Sequence, residues 1–117
     1  GGVVIDGQLR LGPLGAAGEL GHQTILPNGP RCGCGNFGCL ETLASGPALV
    51  ADGVRIMLAG QAPMLHERCV GDVGQVSPRL IGEAAAAGDA GCRDVLERYA
   101  GYLGIGVANV VTMLHPQ

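Results

Sequence analysis

Lysine is absent from the 117-residue chain, and seven arginines stand against ten acidic residues for a net charge of −3. That balance leaves no basic stripe to follow a phosphate backbone, and it argues against nucleic-acid binding by this segment. No apolar run approaches the roughly 18 residues of a membrane span, which excludes a membrane-crossing helix. No signal-peptide pattern is present either, and the chain opens on Gly1-Gly2-Val3-Val4 rather than Met. It reads as a piece of a longer protein, with the cytoplasm as its expected location. Disorder is excluded by the opposite kind of observation: 47% of the residues are apolar and the net charge is small. A chain of this length forms one domain and buries roughly two thirds of its unfolded surface.

An even set of cysteines is missing too. There are five, and an odd count does not make a disulfide framework. Cys32, Cys34 and Cys39 fall within eight residues of each other, whereas Cys69 and Cys92 stand alone in apolar helical surroundings. Two cysteines separated by one residue do not bridge each other without strain. The isolated pair reads as small buried hydrophobes.

The order of elements follows from periodicity and punctuation. Val3-Val4-Ile5 and Leu9-Arg10-Leu11 flank Asp6-Gly7, a dipeptide suited to the positive φ of a tight hairpin turn. His22 to Leu26 is a candidate short strand, closed by Pro27-Asn28-Gly29-Pro30. From Leu40 the apolar period lengthens to about 3.6, with Leu40, Leu43 and Ala44 on one face. Ser45-Gly46-Pro47 ends that helix and opens a second, with Ser45 as its cap, up to Gly60. Gln61 to Val76 is less regular. Ser77-Pro78 starts a third helix that stops at Gly88, and Asp89 caps a fourth that ends before Pro116. The stretch from Val95 to Leu114 is almost wholly apolar, which predicts burial on most sides. Gly101, Gly104 and Gly106 lie inside it with no strand before them, so they mark close helix packing rather than a dinucleotide loop.

Three thiolates and one imidazole complete a closed tetrahedral zinc site, the arrangement of structural zinc. The Cys-x-Cys spacing is tighter than that of common zinc fingers, so a generic zinc ribbon fits poorly. Reduced surface thiols at such density would be an oxidation hazard. Spacing favours His22 as the fourth ligand, with His66 and His115 as rivals. Read without further context, Glu19 and Glu41 are surface charges, as are Asp6, Asp52 and Glu67.

Gly18-Glu19-Leu20-Gly21-His22, then Cys32-x-Cys34-Gly35-x-x-Gly38-Cys39-Leu40-Glu41, then Ala44-Ser45-Gly46-Pro47, closely resembles the signature of the ROK family of bacterial sugar kinases and sugar-responsive repressors. The likeness covers essentially the whole chain, from the glycine-rich opening hairpin to the long final helix followed by Pro116. It implies an α/β fold of the ribonuclease-H-like, actin-like ATPase type. Residues 1–117 would be one partial domain with a small β portion, a zinc loop over 22–39 and three or four helices.

The resemblance also assigns roles. The motif histidine, matched by His22, binds zinc through one ring nitrogen and faces the sugar with the other, because metallation fixes the tautomer and leaves a dependable N–H donor. Glu19 and Glu41 match the glutamates that accept hydrogen bonds from sugar hydroxyls. His22, Cys32, Cys34 and Cys39 are the implied zinc ligands. The phosphate hairpin (Asp-x-Gly) and the Asn-Asp pair that carries the catalytic base have no match here, so catalytic groups are expected upstream of residue 1. The implied whole is a glucokinase-like enzyme using ATP and Mg on a hexose or amino sugar, commonly a homo-oligomer. The alternative is the effector domain of a ROK repressor.

Overall fold

The computed structural model describes residues 1–115, and Pro116, the expected stop for the last helix, lies outside them. Strands β1 (Val3–Ile5) and β2 (Gln8–Arg10) pair antiparallel, with Val4 opposite Leu9. Asp6 and Gly7 between them take φ of 53° and 71°, the left-handed pair that a two-residue turn of this type demands. Leu11, expected in the second strand, falls outside it.

Five helices follow among the described residues: α1 (Leu40–Leu43), α2 (Gly46–Leu58), α3 (Pro63–Arg68), α4 (Pro78–Ala87) and α5 (Ala90–Leu114). Three of them begin as the sequence requires. Ser45 Oγ accepts from the Ala48 amide at 3.2 Å, Ser77 Oγ from Leu80 at 3.3 Å, and Asp89 Oδ1 from Cys92 at 3.1 Å. Gly88 closes α4 in a left-handed conformation at φ 113°.

The amphipathic faces of α2 to α5 meet in one core built on Leu49, Ile56, Met57, Leu65, Ile81 and Val95. Cys69 and Cys92 belong to it, both essentially inaccessible. Burial pushes both thiols up, Cys92 to about 12 with the Asp89 carboxylate adding to the effect, so they stay neutral as the sequence reading requires.

Four expectations need correction. His22 to Leu26 is not a strand: Leu20–His22 forms a 3-10 turn, and only Thr24 makes a bridge, to Cys39. The stretch from Gln61 to Val76 contains α3 and a second 3-10 turn at Val73–Gln75. The C-terminal half of α5 is not buried, since Leu103, Ile105, Val107, Val111 and Met113 are exposed and only Cys92, Val95 and Gly106 of that helix are fully covered. Close approach holds for Gly106 alone of the three helical glycines; Gly101 and Gly104 face open space.

Asp52 is not a merely solvated charge. It accepts from Arg55 Nε at 3.1 Å and from Arg98 Nη2 at 2.9 Å, tying α2 to α5. Partial burial opposes its ionisation, but the bonds and charges of Arg98 and Arg55 outweigh that and hold the carboxyl below its ordinary value. The contribution of this pair is present above the unfolded carboxyl pKa, about 4, and is lost as pH falls through the lowered folded value.

Among the described residues the one buried acid is Asp89, 2% exposed. While Oδ1 caps α5, Oδ2 accepts from the amides of Met64 at 3.0 Å and Leu65 at 3.3 Å in the first turn of α3. A single carboxylate thus satisfies the N-terminal donors of two helices. Asp89→Ala should lower unfolding free energy by about 3 kcal/mol, from one lost cap plus buried amides left without acceptors. Asp89→Asn, which keeps one acceptor oxygen, should lose about half as much. Urea unfolding followed by circular dichroism checks both, and a wild-type midpoint for Asp89→Ala would refute the double cap.

Candidate metal centre

Between the hairpin and α1 the chain has little apolar content, and backbone hydrogen bonds shape it instead. The Ile25 and Leu26 amides donate to the Gly38 carbonyl at 2.9 and 3.2 Å, and the Gly38 amide donates to Pro30 at 2.8 Å. Arg31 bridges Phe37, the Cys32 amide donates to Asn36 at 2.8 Å, and the Gly35 amide returns to Cys32 at 3.0 Å. The cysteine knuckle is therefore a tight turn at the end of a narrow two-armed loop. Gly38 is obligatory there: its φ is 64°, and a Cβ would overlap the Leu26 carbonyl.

This folding brings His22, Cys32, Cys34 and Cys39 together, their ligand atoms all within 4.8 Å of one another. Cys34 Sγ and Cys39 Sγ are 3.6 Å apart, and Cys32 Sγ lies 3.5 Å from His22 Nδ1. Metal–ligand bonds of ordinary length in a zinc tetrahedron give edges of about 3.8 Å between sulfurs and about 3.6 Å between sulfur and nitrogen. Those two edges have such dimensions and no pair of the four atoms is more than 4.8 Å apart, so a metal such as zinc could occupy the cluster. Because Nδ1 is the nitrogen turned to the sulfurs, Nε2 is the one left for another partner. His66 sits on α3, packed beside Gly71, and His115 caps the end of α5; neither belongs to the cluster.

Electrostatics point the same way. The Asn36 backbone amide lowers the pKa of the exposed Cys34 thiol, despite some desolvation. Burial first, and then the neighbouring Cys34 and Cys32 sulfurs, push Cys39 up to about 12. The neighbouring sulfurs thus add to the cost of ionising Cys39, and a bound dication is the natural means of reversing that.

Two further groups border the cluster. Glu41, in the first turn of α1, places Oε1 3.5 Å from Cys32 Sγ and 3.8 Å from His22 Nδ1, with about half of its side chain exposed. Glu19 is exposed at the start of the 3-10 turn that carries His22, and its carbonyl accepts the His22 amide at 3.1 Å. Gln23 went unmarked in the sequence, yet it anchors the turn: its carbonyl accepts the Leu40 amide at 2.9 Å, and its side chain bonds Asn109 at 2.9 Å and the Gly106 carbonyl at 3.4 Å. Its position directly after the motif histidine was the available signal.

Comparison with known proteins gives the family. The ROK family model matches residues 1–117. The chain belongs to the ROK family. As a ROK chain it is 37% identical over 118 residues to the xylose repressor of Caldicellulosiruptor bescii, covering 99% of this chain and 29% of that protein. It is also 37% identical over 121 residues to the glucokinase of Halalkalibacterium halodurans, covering all of this chain and 36% of that one. The solved ROK glucokinase of Streptomyces griseus, in complex with glucose and AMPPNP, superposes with a TM-score of 0.86 at 36% identity, over 98% of this chain and 38% of that one. The chain spans about a third of the length of the relatives it matches. Its fold is the ribonuclease-H-like, actin-like ATPase architecture of the ROK sugar kinases, represented by an α/β part with one hairpin and five helices among the described residues.

A ligand deletion separates this cluster from the other cysteines. Cys34→Ser should weaken zinc binding by more than the roughly hundredfold that marks loss of an outer-sphere partner. Cys92→Ala, in the helical core, should leave zinc content unchanged. Metal analysis and chelator competition on both variants make the test, and equal zinc loss in the two would refute the ligand set.

Proposed function

We propose that this segment is the zinc- and sugar-binding part of a ROK hexose kinase, with His22, Cys32, Cys34 and Cys39 as zinc ligands and His22, Glu19 and Glu41 facing the sugar. The observation that carries the reading is the four-ligand cluster with the half-exposed Glu41 carboxylate against its Cys32–His22 edge. Zinc bound there would order a loop with little core of its own and fix the His22 tautomer. With Nδ1 committed to the cluster, His22 Nε2–H donates to a hydroxyl. The two carboxylates accept from neighbouring hydroxyls, which suits a polyol that presents its donors in pairs. An acceptor covered by the bound sugar but left unpaired would reject a poorly matched one.

In the whole protein, ATP with Mg would supply the phosphoryl group, and the base that deprotonates the attacking hydroxyl would come from outside this segment. This part of the chain contributes positioning, which carries much of the rate of phosphoryl transfer. Such an enzyme would act in the cytoplasm, and the exposed apolar face of α5 suits contact with the remainder of the protein or with a second subunit in a homo-oligomer. Similarity to the xylose repressor of C. bescii supports a second reading, in which the same residues sense a sugar for a transcriptional repressor.

Glu41→Gln in the full-length protein replaces one acceptor oxygen by a donor of nearly equal size. Sugar affinity or turnover should fall by about 2–4 kcal/mol, about 30- to 900-fold, while zinc content and melting temperature hold. Titration with glucose and a zinc assay on the same preparation check it; normal sugar binding, or zinc lost along with sugar, overturns the assigned role. Glucose-dependent consumption of ATP identifies the kinase, and sugar-dependent release from operator DNA identifies the repressor.

A further inference from the structure

Glu41 holds an unusual position for a group assigned to sugar alone. Its Oε1 lies outside the tetrahedron but over one edge of it, 3.5 Å from Cys32 Sγ and 3.8 Å from His22 Nδ1. The approach is built in by the backbone, because Gly21 has no side chain: a Cβ there would stand 3.3 Å from Glu41 Cβ and 3.5 Å from Oε2. The 3-10 turn carrying His22 and the first turn of α1 are thereby pressed together, and the carboxylate is left between them. Half of the side chain nevertheless faces solvent.

The charge at this edge is the consequence that matters. A dication held by three thiolates and a neutral imidazole carries a net −1, and the carboxylate beside it carries another −1. No arginine is hydrogen-bonded or ion-paired to Glu41 among the described residues; its polar side-chain neighbours there are Cys32 and His22. The loaded centre and the carboxylate therefore repel each other until hydroxyl donors satisfy the carboxylate oxygens.

We propose that Glu41 couples the metal centre to the sugar site, so that a hexose bound through Glu41 tightens zinc retention and zinc in turn tightens sugar binding. This rests on the functional reading above, with the same carboxylate serving both sites. Thermodynamic linkage makes the two effects equal in size. Glu41 acts here as a positioning residue on the metal side, where it ligates nothing. Removing its charge relieves the repulsion without sugar, so the sugar-free variant holds zinc more tightly than the wild type.

Zinc affinity measured by competition with a chromophoric chelator tests this in the full-length protein, with no dependence on catalytic activity. In the wild type, saturating glucose should tighten zinc by about fivefold or more, within the usual range of coupling between sites. Glu41→Gln without sugar should already bind zinc more tightly than the sugar-free wild type, and glucose should tighten its zinc less than it does in the wild type, leaving only the linkage through His22; an equal glucose effect in the two proteins overturns the role of Glu41. Unchanged wild-type zinc affinity with glucose bound, or weaker zinc binding by sugar-free Glu41→Gln, overturns the coupling. If the wild type binds no glucose at all, the functional reading fails. The sugar-free comparison of the two proteins then decides the charge effect by itself.

Discussion

Leu40 and Gln23 reach the backbone of α5 at Gly106 because that residue has no side chain: a Cβ there would fall 2.6 Å from Leu40 Cδ2 and 3.3 Å from Gln23 Nε2. Through this contact the loop that gathers the cysteines is joined to the helical core. Gln23 follows His22, and Leu40 lies between Cys39 and Glu41, so the two anchors flank the residues of the site. A β-carbon at position 106 would displace both anchors at once, shifting the histidine turn relative to the first turn of α1. The constraint is steric, and it acts at a distance in sequence that no local pattern spans.

The site and the core are stabilised by different physics. Around Leu65, Ile81 and Val95 the chain gains from removing apolar surface from water. The loop over 22–39 has almost none of that to offer. It relies on backbone hydrogen bonds between its arms and brings four potential ligand atoms within 4.8 Å of one another. Small loops that cannot bury a core commonly couple their folding to a metal in this way. The result places one histidine and one carboxylate side by side next to a helical scaffold.

The helices illustrate where sequence reading works and where it stops. The starts of α2, α4 and α5 are legible because Ser45, Ser77 and Asp89 cap them from the adjacent position. The start of α3 has no such signal: Ala62 precedes Pro63, and the acceptor for the first-turn amides is Asp89, 25 residues further on. A cap supplied through tertiary packing leaves no mark near the helix it serves. Likewise, His22 to Leu26 before the turn over 27–30 reads as a short strand, but Leu20–His22 folds as a 3-10 turn close against Glu41, and Thr24 keeps a single bridge to Cys39.

Residue types and spacing alone determined the candidate ligands, the helix boundaries marked by caps and the family signature, because each depends on chemistry within a few residues. Sequence also gave α5 its apolar character, and only packing decided which of its faces would be covered. Setting His66 and His115 apart from the cluster belonged to the tertiary structure, as did the nitrogen that His22, already marked by the family signature, turns inward. So did the placement of Glu41 against the Cys32–His22 edge, and the reason is the same throughout. These relations join segments that meet only after the loop has folded back and docked on α5, and the distance between two such groups is fixed by the elements that carry them.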